Sequence, residues 1–149
     1  MKFLPEEMIN VQHPVSSPEE AIRAAGDLLE KEKTISSSYI QAMVEAYISQ
    51  GAYFVLAPGV AVPHARPQDG ALESAISFVQ LEEPVVFGHS TNDPVTLVFG
   101  LSAASNDEHL HILQKLTMLL NDPSTIEHMK KAQNVEDIKK IIQRSGMKK

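Results

Sequence analysis

Cysteine does not occur in the 149 residues. Its absence excludes disulfides, thiolate metal ligands and a cysteine nucleophile, and it suits a reducing compartment, so a cytoplasmic location is the expectation. Long apolar runs are missing too. Nowhere do about 18 consecutive apolar residues occur, and Met1-Lys2-Phe3-Leu4-Pro5-Glu6-Glu7 has no apolar core behind its lysine, so direct membrane insertion is not expected. Positive charge is in short supply, with 13 Lys and Arg against 19 Asp and Glu and a net charge of −6. Affinity for nucleic acid rests on cations that neutralise phosphates, so DNA and RNA are not expected partners.

What remains is an ordinary globular composition, 43% hydrophobic and 21% charged, with no low-complexity tract. A chain of this length makes one domain over 1–149 and buries about 68 to 70% of its unfolded surface. Ser17-Pro18-Glu19-Glu20 predicts a helix start with a capping box, followed by an apolar face of Ala21, Ile22, Ala25, Leu28 and Leu29. A second helix is expected over 37–50 from the spacing of Ile40, Met43, Val44, Tyr47 and Ile48, stopped by Gly51.

Texture then changes to strand-like pieces. Tyr53-Phe54-Val55-Leu56 and Val60-Ala61-Val62 flank a Pro58-Gly59 turn, Ser74 to Leu81 alternates with period two, and Pro84-Val85-Val86-Phe87 reads as a further short strand. Pro94 to Leu101 is more continuously apolar and fits a central strand buried on both faces. Ser105-Asn106-Asp107-Glu108 opens another helix carrying Leu110, Leu113, Leu116, Leu119 and Leu120, and two short helices follow, through Met129 and from Asn134 to Ile142. Val135, Ile138, Ile141 and Ile142 are expected to face inward, and Met43, Met118 and Met129 to fill the core. The pattern is that of an α/β layer fold.

The segment richest in chemistry is Ala57-Pro58-Gly59-Val60-Ala61-Val62-Pro63-His64-Ala65-Arg66-Pro67. Proline locks its own φ and pushes the preceding residue toward extended geometry, so Pro63 and Pro67 place His64 in a stiff segment at a strand end. Imidazole titrates near neutral pH and is nucleophilic whenever one nitrogen is unprotonated. Ligand sites of open α/β sheets gather beyond the carboxyl ends of strands, where His64 is expected. Two residues on, Arg66 would share a face with His64 in an extended chain, and its planar guanidinium suits a phosphate; it equally suits a solvated arginine or a partner contact.

The run from Gly51 to Pro67, together with Asp107-Glu108-His109-Leu110 and its following leucines, resembles the enzyme IIA components of the bacterial phosphoenolpyruvate-dependent sugar phosphotransferase system, in the mannitol, fructose and ascorbate group. The resemblance implies a single-domain mixed sheet of about five strands with helices on both faces. It implies that His64 accepts a phosphoryl group from phospho-HPr and passes it to enzyme IIB, which leads to the membrane enzyme IIC. His109 is implied as a second catalytic histidine supporting the phosphorylated state. Its place near a helix N-terminus disfavours the imidazolium and welcomes an anion; alternatively it only covers Leu113 on the core face.

Arg66 is the candidate phosphate-binding residue; members near the mannitol type carry an arginine upstream of the histidine, whereas 46–56 contains none, and whether Arg66 takes its place is left open by the sequence. The flanks of His64 lean toward the ascorbate-like branch. No cofactor is called for. A Walker-type glycine loop is missing, so ATP is not the expected donor. His111 lies two positions from His109 and cannot face the same pocket on a helix, which also argues against a metal site. His13, His89 and His128 are expected at the surface, and the Lys139-Lys140 and Lys148-Lys149 pairs as solvated charges. The rival reading is a regulatory sensor phosphorylated on His64 that signals by binding a target; a weaker one is a binding module in which His64 is structural.

Overall fold

The computed structural model describes residues 2–145, so the Lys148-Lys149 pair lies outside the described residues. In chain order the elements are β1 (Lys2–Phe3), β2 (Ile9–His13), α1 (Pro18–Lys31), α2 (Ser37–Gln50), β3 (Val55–Ala57) and β4 (Val60–Ala61). They continue with β5 (Ala75–Val85), β6 (Val95–Ser102), α3 (Asn106–Leu120), α4 (Pro123–Lys131) and α5 (Val135–Arg144).

Helix starts obey local chemistry, with one change from the expectation. Ser17 caps α1 and Ser105 caps α3, each hydroxyl accepting from the N–H three residues on at 3.2 Å. The glutamates do not reach back to close the boxes. Glu20 instead accepts from the N–H and hydroxyl of Ser16, at 2.6 and 2.8 Å, while Glu108 accepts from the Ser74 hydroxyl at the start of β5. Ser74 also takes the Ala104 N–H at 3.0 Å, so the entry to α3 is tied to the sheet.

The mixed sheet has the order β1-β5-β6-β4-β3, with β2 also on β5. Both β1 and β2 run parallel to β5, one after the other along its outer side, so six strands occupy about five positions. The long β5–β6 pair is antiparallel, β4 joins β6 in parallel, and the Pro58-Gly59 turn folds β3 back on β4. The turn needs Gly59 at φ +77°. Of the separate strand expected at Pro84–Phe87, only Pro84 and Val85 are in a strand, as the end of β5; the exposed Glu82, Glu83 and Pro84 lie in an irregular stretch between the Gln80–Leu97 and Val85–Val95 pairings, and Val86 and Phe87 follow outside any strand. A charged pair before proline reads as a break, yet an irregular stretch that stands in water needs no apolar residue, and the strand resumes its pairing at the buried Val85.

Alternation along β5 and β6 divides the core in two. Ile76, Phe78, Leu97, Phe99 and Leu101 point toward α3, α4 and α5, whereas Ala75, Val79 and Val98 point toward α1 and α2. On the second face α1 lies almost on the backbone: a Cβ at Gly100 would stand 2.6 Å from the Ser77 hydroxyl and 3.1 Å from the Ala25 methyl. Three expected core residues are on the outside, since Ile48, Leu110 and Met118 are 70, 60 and 71% exposed. The buried stripe of α3 is Ile112, Leu116 and Leu119; Leu110 and Met118 each stand two residues from it, roughly 200° around the helix. Ile48 continues the α2 stripe into a last turn that nothing covers.

Gln80 ties the layers together. Buried to 3% exposure, it accepts the Gln12 N–H at 2.9 Å, and its amide nitrogen faces the carbonyls of Met129, Lys130 and Ala132 at 2.9, 3.3 and 2.7 Å, where α4 ends. Gln80→Leu leaves these groups unpaired in a dry place, so chemical denaturation should show a loss of about 2 to 4 kcal/mol. A loss under about 1 kcal/mol would mean that water reaches them.

Candidate active site

His64 stands just past the C-terminal end of β4, on a backbone held from both sides. The Val62 N–H donates to Phe54 at 2.9 Å, the Leu101 N–H to Pro63 at 3.1 Å, and the Ala65 N–H to the Tyr39 hydroxyl at 3.0 Å. Tyr39 is fully buried, and its proton is shared between the carbonyls of Leu101 at 2.8 Å and Ala65 at 3.1 Å. Burial pushes the Tyr39 phenol up to about 12, so it stays protonated and keeps that bond.

The ring of His64 is oriented by its own strand. Nδ1 lies 2.7 Å from the Val62 carbonyl. A carbonyl only accepts, so the neutral ring carries its proton on Nδ1 and leaves the Nε2 lone pair free. The His109 ring packs against it edge to face, with centroids 5.1 Å apart, and Tyr53 does so from another side at 5.9 Å. His64, His109, Arg66, Tyr53, Asp69 and Asn106 all line one open groove of about 380 Å³. The groove thus unites the three residues singled out in the sequence, and its His64 is half-buried, open to a visiting molecule.

His109 sits in the first turns of α3, and its buried Nδ1 has no hydrogen-bond partner among the described residues. An orphaned buried N–H is rarer than an orphaned acceptor, which assigns the proton to Nε2. His111 is exposed and outside the groove, as helical geometry required. Arg66 is exposed at the rim but already engaged: Nε and Nη2 meet the two Asp69 oxygens at 3.2 and 3.0 Å. The Arg66 hydrogen bonds hold the Asp69 carboxyl below the usual carboxylate range. Two of five guanidinium donors are used, so about three remain for an anion.

Sequence reasoning passed over Tyr39, Tyr53 and Asp69. Asp69 had a local signal, since an acid three residues after Arg66 across a proline closes a short helical turn, and its Oδ2 also takes the Arg66 N–H at 3.0 Å. Tyr39 had none, because only the packing of α2 brings it beneath Ala65. Among the other histidines, His89 accepts from the N–H groups of Thr91 and Asn92 at 3.1 and 3.0 Å and shapes its own loop, and His128 is exposed. Among the described residues there is no group of three or more potential metal ligands, and no helix is long and apolar enough to cross a membrane.

Burial lowers the pKa of His64 from the ordinary 6.5, opposed by the Val62 carbonyl, and lowers that of His109 through burial first and the neighbouring His64 charge second. Both rings are therefore neutral at pH 7. Proton NMR titration should place both midpoints below 6.5; a midpoint at or above that value for His64 would contradict the assigned environment. Acid therefore weakens the fold through these rings. The unfolded chain binds protons more readily between the two pKa values, so this contribution to stability is complete above about pH 6.5 and is lost as pH falls through the folded midpoints.

The family model described as "Phosphoenolpyruvate-dependent sugar phosphotransferase system, EIIA 2" matches residues 2–145. The mannitol-specific cryptic phosphotransferase enzyme IIA component of Escherichia coli is 39% identical over 142 residues, 95% of this chain and 96% of the relative. The ascorbate-specific EIIA component of Salmonella typhimurium is 28% identical over 139 residues, 93% and 90% of the two chains. Among solved structures, the complex of the E. coli mannitol enzyme IIA with phosphorylated enzyme IIB aligns with a TM-score of 0.83 and 32% identity, over 95% and 99% of the chains. The nitrogen regulatory protein IIA-Ntr of Neisseria meningitidis aligns at 0.77 with 27% identity, over 93% and 95%. With the groove and its paired histidines, these matches establish that the chain belongs to the EIIA 2 family of the sugar phosphotransferase system and is a phosphotransferase that carries a phosphoryl group.

Proposed function

We propose that this protein is a cytoplasmic phosphocarrier that takes a phosphoryl group from phospho-HPr onto Nε2 of His64 and gives it to enzyme IIB, for sugar uptake through enzyme IIC. The observation that carries the reading is the Nδ1–Val62 hydrogen bond, which leaves Nε2 unprotonated in an open groove beside His109. The Nε2 lone pair forms the new N–P bond while the bond to the donor's imidazole nitrogen breaks and its electron pair returns to that ring. The proton stays on Nδ1, donated to the Val62 carbonyl throughout. Transfer to the acceptor repeats the displacement in the other direction.

Such a reaction passes through a loose transition state, so the protein's part is alignment and charge stabilisation. His109 supplies an N–H from Nε2, and the N-terminus of α3, reaching the groove at Asn106, adds positive potential. Arg66 offers its remaining N–H groups while Asp69 keeps the guanidinium at the rim. The similarity to a mannitol enzyme IIA solved with its phosphorylated IIB supports this acceptor. Incubation with labelled phospho-HPr should place acid-labile phosphate on His64, and candidate enzyme IIB should drain it. His109→Ala and Arg66→Gln should each slow the relay by about ten- to a hundredfold without moving the label.

The likeness to a nitrogen regulatory IIA favours a second reading, a sensor that signals its phosphorylation state by binding a target. In that case the label forms on His64 and no enzyme IIB removes it.

A further inference from the structure

We propose that the cleft between α4 and α5 is a second anion site, shaped for a phosphate group borne by a soluble ester or a lipid headgroup. Positive charge is scarce in this chain, yet seven of its 13 Lys and Arg lie within residues 123–149, among only three acidic residues. The two helices bring part of that charge together. His128 and Lys131 lie three apart on α4, Lys140 and Arg144 four apart on α5, and these pairs face each other across one cavity of about 180 Å³. An adjoining cavity of about 170 Å³ shares His128, Ile141 and Arg144, so the cleft is continuous.

Among the described residues no carboxylate forms an ion pair with Lys131, Lys140 or Arg144, whereas the neighbouring Lys130 and Lys139 are paired with Glu127 and with Glu6 and Glu136. The two carboxylates lining the cleft are turned to the backbone: Asp137 accepts from the Gln133 N–H at 2.9 Å, and Asp122 from the N–H and hydroxyl of Ser124 at 2.9 and 2.8 Å. Clustered like charges repel one another, and an anion that bridges them relieves that repulsion. Arg144 offers a planar fork for two phosphate oxygens, and the two lysines offer point charges. The cleft is separate from the His64 groove. Asp122 follows the C-terminus of α3 and His109 sits in its first turns, a separation of roughly 18 Å along the helix.

The test is residue-resolved NMR of the full chain titrated with inorganic phosphate and with glucose 6-phosphate, against sodium chloride at matched ionic strength. A parallel arm uses sedimentation with phosphatidylglycerol vesicles, and with phosphatidylcholine vesicles as control. The expected result is saturable shifts of amides in 123–145, or binding to the anionic vesicles alone. Either should weaken at least about tenfold in K131Q/K140Q/R144Q. These side chains are exposed, so an unchanged melting temperature is expected, and K140E/R144E provides a second variant. Phosphate without vesicle binding identifies a soluble ester, and the reverse a lipid headgroup. Shifts confined to the His64 groove, equal response to chloride, or binding unaffected in both variants would overturn the proposal while leaving the relay reading intact.

Discussion

His64→Ala should reduce phosphoryl acceptance from phospho-HPr to background, a fall of more than roughly ten-thousand-fold, while leaving the fold in place. The size follows from chemistry, because the side chain is the nucleophile and nothing nearby replaces it. His109 has its Nδ1 buried and its Nε2 protonated, so neither of its nitrogens presents a lone pair to the groove. The fold should survive, since the ring's one hydrogen bond goes to its own strand at Val62, worth about 0.5 to 1.5 kcal/mol. His64→Gln, with similar bulk, should be equally inactive. Acid-labile phosphate persisting at the original level in either variant would show that another residue accepts it and that His64 is structural.

Phe99→Ala should remove about 3 to 5 kcal/mol of stability, a larger loss than that expected of Gln80→Leu. Phe99 is fully buried in the middle of β6, and its ring meets Phe78 of β5 with centroids 4.9 Å apart. It also stands two residues from Leu101, whose N–H and carbonyl hold Pro63 and Tyr39 below the active histidine. Shift of the strand toward α1 is limited, because at Gly100 α1 already lies against its other face. Urea unfolding should show the midpoint fall with an unchanged slope. A loss below about 1.5 kcal/mol would mean that the core collapses into the space, which is incompatible with the close packing around the ring.

The order in which the chain revealed itself follows how local each cause is. Proline at the first turn after a capping serine, Gly51 after an amphipathic run and a largely apolar β6 are written in neighbouring residues, and those elements lie where the pattern places them. The first two strands were illegible. β1 is two residues long, Pro5 follows it, and Leu4 and Gln12 adopt positive φ, so no alternating pattern can be read; they are strands only because β5 offers an edge. The misplacement of Leu110 and Met118 has a related origin, since a leucine-rich helix has more apolar residues than one stripe can hold and only the facing sheet selects among them.

The same division runs through the site. By itself the sequence determined the stiffness around His64, the helical place of His109, the exclusion of His111 from its neighbour's pocket, and the likeness to enzyme IIA, because prolines, caps and i, i+2 geometry act within a few residues. Tertiary structure alone decided that the two rings meet at 5.1 Å, which nitrogen of His64 is free, that Asp69 engages Arg66 and that Tyr39 pins Ala65 from 26 residues away. It also gathered the scattered cations of α4 and α5 into one cleft. Distances between residues remote in sequence are set by how layers pack on a sheet, and burial, which tunes both imidazoles, exists only once that packing is complete.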